Sequence, residues 1–136
     1  MPNLQVEIVT PERKLFSDEA SFVVLPAANG EMGVYARHEP VVTLLNYGSV
    51  RVTPAEGGDV IRYTVAGGYA QVDGEHVIIL ADRAATTEDM KADTIGVKVD
   101  EIKEQLEGLA EDDSNREFLE NELKWYETLL HELTAK

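Results

Sequence analysis

The chain has 136 residues, 43% of them hydrophobic, which suits one compact unit with an appendage and excludes a disordered polypeptide. Its 26 acidic against 12 basic residues leave a formal net charge of -14, which repels a phosphate backbone or an anionic leaflet and argues against nucleic acid as a partner. Cysteine is absent, which removes disulfides, thiol catalysis and thiolate metal sites.

The first residues, Met1-Pro2-Asn3-Leu4-Gln5, carry no basic cluster followed by an apolar run, and no stretch approaches the roughly 20 apolar residues of a membrane span. The expectation is a soluble, cytoplasmic chain with no direct membrane insertion. Up to Thr87 there are 11 acidic and 6 basic residues; from Glu88 onward there are 15 and 6, so the shorter C-terminal part is the more negative.

Leu4, Val6 and Ile8 alternate with Gln5, Glu7 and Val9, the period of a strand with one buried face. A turn at Thr10-Pro11-Glu12 follows. Leu15-Phe16 and then Ala20 to Leu25 read as two further strands, the second ended by Pro26, which cannot donate to a ladder. Asn29-Gly30 is a turn signal.

Val41 to Leu45, Ser49 to Thr53, Val60 to Ala66, Tyr69 to Val72 and Val77 to Ala81 are short, rich in β-branched residues and separated by Gly48, Gly57-Gly58, Gly67-Gly68 and Asp73-Gly74. That spacing predicts an antiparallel sandwich or barrel, with a hairpin at Asp73-Gly74. Val77-Ile78-Ile79-Leu80 lacks polar alternation, so a strand covered on both faces is expected there.

Near Thr86 the period changes. Ile95, Val99, Ile102, Leu106 and Leu109 recur at offsets of four and three, and Leu119, Leu123, Tyr126, Leu130 and Leu133 repeat the pattern. Such stripes predict two helices packed as an antiparallel hairpin. The fold class expected is thus a mainly β sandwich over 1–86 followed by a helical hairpin over 87–136.

The first helix is expected to begin near Thr86 or Thr87, with Glu88 and Asp89 at the positive end of its dipole. Gly96, Val97 and Val99 are poor helix formers, costing several tenths to about 1 kcal/mol each, so this helix either bends during rearrangement or is held by packing. Ala110 to Asp113 reads as the turn, and Ser114 with Glu117 as a capping box.

No catalytic constellation is present. His38, His76 and His131 have no metal-ligand spacing; Glu111-Asp112-Asp113 lacks the glycine and bidentate glutamate of a calcium loop; Gly57-Gly58 and Gly67-Gly68 lack the strand-to-helix context and lysine of a phosphate loop. No metal and no cofactor are expected. Trp125, Phe118 and Tyr126 on the second helix suit packing better than ligand stacking.

The order of several short motifs resembles the epsilon subunit of F-type ATP synthases from about Leu4 to Asp89. These are Val9-Thr10-Pro11-Glu12 with Leu15-Phe16-Ser17, Gly30-Glu31-Met32-Gly33-Val34-Tyr35, His38-Glu39-Pro40, Gly48-Ser49-Val50-Arg51-Val52, Ala66-Gly67-Gly68-Tyr69, and Leu80-Ala81-Asp82-Arg83-Ala84.

The resemblance implies a non-catalytic rotor subunit, its sandwich docked on gamma and on the c-ring at the cytoplasmic face of a bacterial membrane, or at the thylakoid membrane of a plastid. It also implies a hairpin that folds down or extends toward the alpha and beta subunits to regulate hydrolysis. Glu31, Met32, Gly33 and His38 would lie in loops at the c-ring end, and Thr10, Val42 and Thr43 would face gamma; for Met32 packing inside its own domain is the alternative. Where relatives carry Pro-Gly, this chain has Ala36-Arg37.

The ATP motif of some relatives, Ile or Leu, Asp, two variable residues, Arg and Ala, corresponds to Met90-Lys91-Ala92-Asp93-Thr94-Ile95. Lys91 and Thr94 replace its Asp and Arg, so no ATP binding, or only weak binding, is expected. A net charge of -9 from Glu88 onward predicts weak or rearranged inhibition. Within the family, the mitochondrial delta homologue would normally bring a targeting segment. From another class, a free-standing β-sandwich module with a coiled-coil oligomerisation hairpin predicts a homo-oligomer and no gamma binding.

Overall fold

The computed structural model describes residues 3–87 and 90–134. The chain divides into two compact units, Met1–Thr86 and Thr87–Lys136.

In the first unit β1 (Leu4–Val9) buries Leu4, Val6 and Ile8 and leaves Gln5, Glu7 and Val9 half-buried, as an alternating strand should. β2 (Lys14–Ala27) is one strand where two were expected. It runs through Pro26 because the ladder to β4 (His38–Pro54) is broken by a register shift between Val24 and Ala27, so no bond there depends on the missing N–H.

β3 (Gly30–Tyr35) corrects the expectation that Glu31, Met32 and Gly33 lie in a loop. It folds back antiparallel on β2, with pairs running from Ala27 and Gly30 to Phe22 and Tyr35.

β4 and β5 (Ile61–Gly74) continue through Gly48 and through Gly67-Gly68, which were expected to break them. At Gly68 φ is +117°, and a Cβ would lie 2.2 Å from the Leu80 carbonyl oxygen and 2.8 Å from Ala81 Cα. The glycines therefore bend one long strand closely against β6 (His76–Ala81) instead of ending it. The Asp73-Gly74 hairpin forms as expected, with Val72 opposite Val77 and Asp73 opposite His76.

The sheet runs β1-β6-β5-β4-β2-β3, with the two-residue β7 (Ala84–Ala85) also on β5 and a second pairing of β1 with β2. That last pairing closes the path around one core, in which Leu4, Ile8, Leu25, Val50 and Ile79 are fully buried. The β1–β6 pair is parallel, a departure from the all-antiparallel expectation. Val77 and Ile79 point into the core, whereas Ile78 and Leu80 are half-buried, so β6 is fully covered on one face only.

The second unit is a helical hairpin of α1 (Ala92–Glu107) and α2 (Arg116–Thr134). α1 starts later than Thr86 or Thr87, with Lys91 as an N-cap that makes no side-chain capping bond. The expected Glu88 and Asp89 contribution lies outside the described residues. Gly96 lies within the unbroken helix, and Ile95, Val99 and Ile102 are buried as the stripe predicts.

α2 buries Trp125 and Leu129 most deeply, so the seam is turned from the predicted Leu119-Leu123-Tyr126-Leu130 line, whose members are half-buried. The Ser114-Glu117 capping box does not form. α2 begins at Arg116, and instead the Asn115 N–H donates to Asp113 Oδ1 at 2.8 Å.

Candidate docking surfaces

With one side of each strand committed to the core, function falls to what the other side presents. Cross-strand register aligns Leu44, Tyr69, Leu80 and Val9 in one row over β4, β5, β6 and β1. Val42, Gln71, Ile78 and Glu7 form the next row. At roughly 4.8 Å per strand each row spans about 14 Å. Leu44 is 68% exposed, Val42 65% and Tyr69 41%, while Leu80, Ile78 and Val9 are half-buried. A contiguous apolar face on a chain this acidic is the signature of a surface that another protein covers.

The other layer presents a different surface. Phe22 and Tyr35 stack with ring centroids 4.3 Å apart. The Phe22 ring lies over Gly33, where a Cβ would meet it at 3.0 Å. Beside them Arg51 Nη2 on β4 reaches across β2 to Glu31 Oε2 on β3 at 2.5 Å.

Of the residues the resemblance assigned to the c-ring, Glu31 and Gly33 share this outward face. Met32 points the other way and packs against the core. His38 lies beyond the opposite end of β3, past the Ala36-Arg37 turn, with Nδ1 2.7 Å from the Glu39 carbonyl oxygen. Four residues of strand separate Glu31 from Tyr35, about 13 Å, so His38 and Glu31 are not brought together.

Of the residues assigned to gamma, Val42 shares the outward face with Leu44, whereas Thr43 has the parity of Val41 and Leu45 and points the other way. Thr10 follows Val9 and closes the turn into β2: its N–H and Oγ1 donate to the Arg13 carbonyl at 2.9 and 3.2 Å. It lines an open depression of about 330 Å³ with Pro11, Arg13, Asp82 and Arg83. Leu44, Tyr69, Ile78 and Leu80 were not singled out as surface residues by sequence reasoning, because only strand register places them side by side, and Arg51 was missed because only the position of β2 between β3 and β4 brings it within reach of Glu31.

On the hairpin, Lys91 and Thr94 are exposed at the start of α1. Phe118, 64% exposed, edges a depression at the hairpin end with Glu104, Leu109 and Leu119. No helix among the described residues is long and apolar enough to cross a membrane, and no group of three potential metal ligands occurs among them.

These features define a β-sandwich protein with a C-terminal helical hairpin. Residues 3–87 match the model of the ATP synthase delta/epsilon chain β-sandwich domain, and the chain belongs to that family.

Relatives include the ATP synthase epsilon chain of Neisseria meningitidis serogroup B, 42% identical over 91 residues covering 66% of this chain and 64% of that one. The ATP synthase epsilon chain 2 of Ralstonia nicotianae is 44% identical over 90 residues, with the same shares. The matched stretch thus spans 64% of the length of these relatives. The epsilon chain of Desulforamulus reducens is 40% identical over 94 residues, 69% of this chain and 66% of that one.

Among solved structures, a chain of the Euglena gracilis mitochondrial ATP synthase aligns over 98% of this chain and 82% of its own, with a TM-score of 0.81 and 23% identity. A chain of the Tetrahymena thermophila mitochondrial ATP synthase central stalk and c-ring aligns over 93% and 96%, with a TM-score of 0.63 and 10% identity. At these identities the likeness is one of fold.

Proposed function

We propose that this chain is the epsilon subunit of an F-type ATP synthase, a non-catalytic rotor component that links gamma to the c-ring and couples ion translocation to ATP synthesis. The observation that carries the reading is the contiguous apolar face of Val42, Leu44, Tyr69, Ile78 and Leu80 on a sandwich of this family. Burying one such side chain is worth roughly 1.5 to 3 kcal/mol, so a partner that covers several of them would be held firmly. Gamma is the partner assigned to this face, together with the Thr10 end of β1. The Glu31 surface on the other layer is assigned to the c-ring. Two separate surfaces suit a subunit that joins two partners.

In this reading the chain carries no cofactor and performs no chemistry. It is peripheral to the membrane, on the cytoplasmic face in a bacterium or at the thylakoid in a plastid. The 1–86 unit docks and the 87–136 hairpin regulates, reaching toward alpha and beta when extended. Co-expression with gamma tests the assignment: a one-to-one complex is expected. A self-assembled dimer that ignores gamma would overturn it in favour of the free-standing module.

A further inference from the structure

We infer that Arg51 is a positioning residue that holds the Glu31 carboxylate in a docking geometry, and that the surface so formed fits a partner loop rich in N–H or cationic donors. The inference rests on the assignment of the Glu31 surface to the c-ring.

Glu31 lies on β3, the last strand in the sheet order, and its side chain is 63% exposed. An exposed glutamate ordinarily samples several rotamers and loses that freedom on binding. Here one oxygen is fixed. Arg51 approaches from two strands away, over β2, where Val24 pairs with Arg51 and Pro26 pairs with Glu31. The Arg51 side chain is only 30% exposed. Its Nε is buried and has no hydrogen-bond partner among the described residues, so the guanidinium is laid along the sheet with one donor desolvated and another aimed at Glu31 Oε2. The arrangement forgoes a bond at Nε and leaves Glu31 Oε1 to accept from outside.

The neighbouring groups narrow the partner. Gly33 offers no side chain beside Glu31, and the Phe22–Tyr35 stack walls the far side, with Tyr35 66% exposed. A partner segment can therefore approach the backbone of β3 closely and donate to a carboxylate already oriented toward it. A point charge at 51 would not suffice, because the planar fork sets the direction of the bond.

The test uses the full chain in complex with gamma, binding to purified c-rings in lipid nanodiscs. Arg51→Met keeps the stem that packs along β2, and melting temperature checks that the sandwich is intact. Arg51→Met is expected to weaken ring affinity about 2- to 10-fold, the cost of ordering one freed side chain, while gamma affinity is unchanged. Arg51→Lys should recover less than half of the loss. Glu31→Gln should weaken binding at least as much, and the double variant should be no weaker than Glu31→Gln.

Wild-type ring affinity in Arg51→Met, or a double variant showing the sum of both losses, would overturn the positioning role and leave the surface assignment standing. Failure of the wild-type complex to bind the ring, or wild-type affinity in Glu31→Gln, would overturn the assignment and the inference with it.

Discussion

Arg116, the first residue of α2, donates from Nη2 to the carbonyl oxygen of Leu106 in the last turn of α1 at 3.1 Å. The same nitrogen reaches the Leu109 carbonyl at 3.0 Å, and Nε reaches Ala110 at 3.3 Å. The last carbonyls of a helix have no partner within it, and α1 has no basic residue in its last turn. A cation from the next helix bonds one of them, at Leu106, which also accepts from the Leu109 N–H at 3.2 Å, together with two carbonyls just past the helix, and so sits at the negative end of the α1 dipole.

Arg116→Ala should therefore cost the hairpin about 1 to 2 kcal/mol, since it removes charge-assisted bonds to three carbonyls. Amide hydrogen exchange over residues 105–118 reads this directly, and faster exchange there with no change in the sandwich is the expected result. The Arg116–Glu120 contact is long at 3.5 Å and the Glu120 side chain is 56% exposed, so Glu120→Gln should change stability by less than about 0.5 kcal/mol.

Arg37 is the one non-glycine residue with positive φ among the described residues, at +69°. It occupies the second position of the Ala36-Arg37 turn between β3 and β4, and its N–H donates to the Gly74 carbonyl at 2.9 Å. Left-handed backbone costs a side-chain-bearing residue about 1 to 2 kcal/mol, part of which glycine gives back in unfolded-chain entropy. Arg37→Gly should stabilise the sandwich by about 0.5 to 1 kcal/mol. A rise in its thermal midpoint checks this, and a fall would show that the arginine side chain contributes more than the strain removes.

Two glycines should respond in opposite senses to alanine. Gly68→Ala forces a Cβ into the Leu80 backbone and should destabilise by more than about 3 kcal/mol, enough to prevent folding of so small a domain. Gly96 has nothing within 4 Å of an added Cβ and sits inside α1, so Gly96→Ala should stabilise the helix by about 1 kcal/mol. Circular dichroism melts of the two variants separate these effects.

The elements legible in the sequence are those whose signal is local. The period of two in Leu4-Val6-Ile8, the Asp73-Gly74 hairpin and the Ile95-Val99-Ile102 stripe each lie within one segment, and each forms. β3 escapes such reading because Gly30 and Gly33 depress strand propensity, and its support comes from Phe22 on another strand. Gly48 and Gly67-Gly68 look like breaks because glycine marks turns and bends alike, and only the approach of Leu80 distinguishes the two at Gly68. The candidate surfaces are the least legible part. Leu44, Tyr69 and Leu80 are far apart in the chain, and a one-residue slip would place them inside.

Leu44 gives the most direct check on the apolar face, because it is 68% exposed and stabilises little of its own fold. Leu44→Glu should shift sandwich stability by less than about 1 kcal/mol. If gamma covers this row, the loss of one buried leucine should weaken the complex by more than about tenfold. Calorimetric titration of gamma with the variant measures it. Undiminished affinity would move gamma off this face.

The hairpin carries 15 acidic and 6 basic residues from Glu88 onward. Any acidic segment that the extended arm met on the catalytic subunits would repel it, by an amount that falls with added salt. Val97 and Phe118, 57% and 64% exposed, provide only scattered apolar contact on such an arm. If the hairpin extends as proposed, an arm that is both repelled and sparsely apolar would hold a blocking position weakly. Deleting the residues after Thr87 should consequently raise ATP hydrolysis by the assembled complex no more than about twofold, with a smaller effect at low salt, where repulsion already keeps the arm away. Activation of tenfold or more on deletion would show that contacts other than charge hold the arm in place.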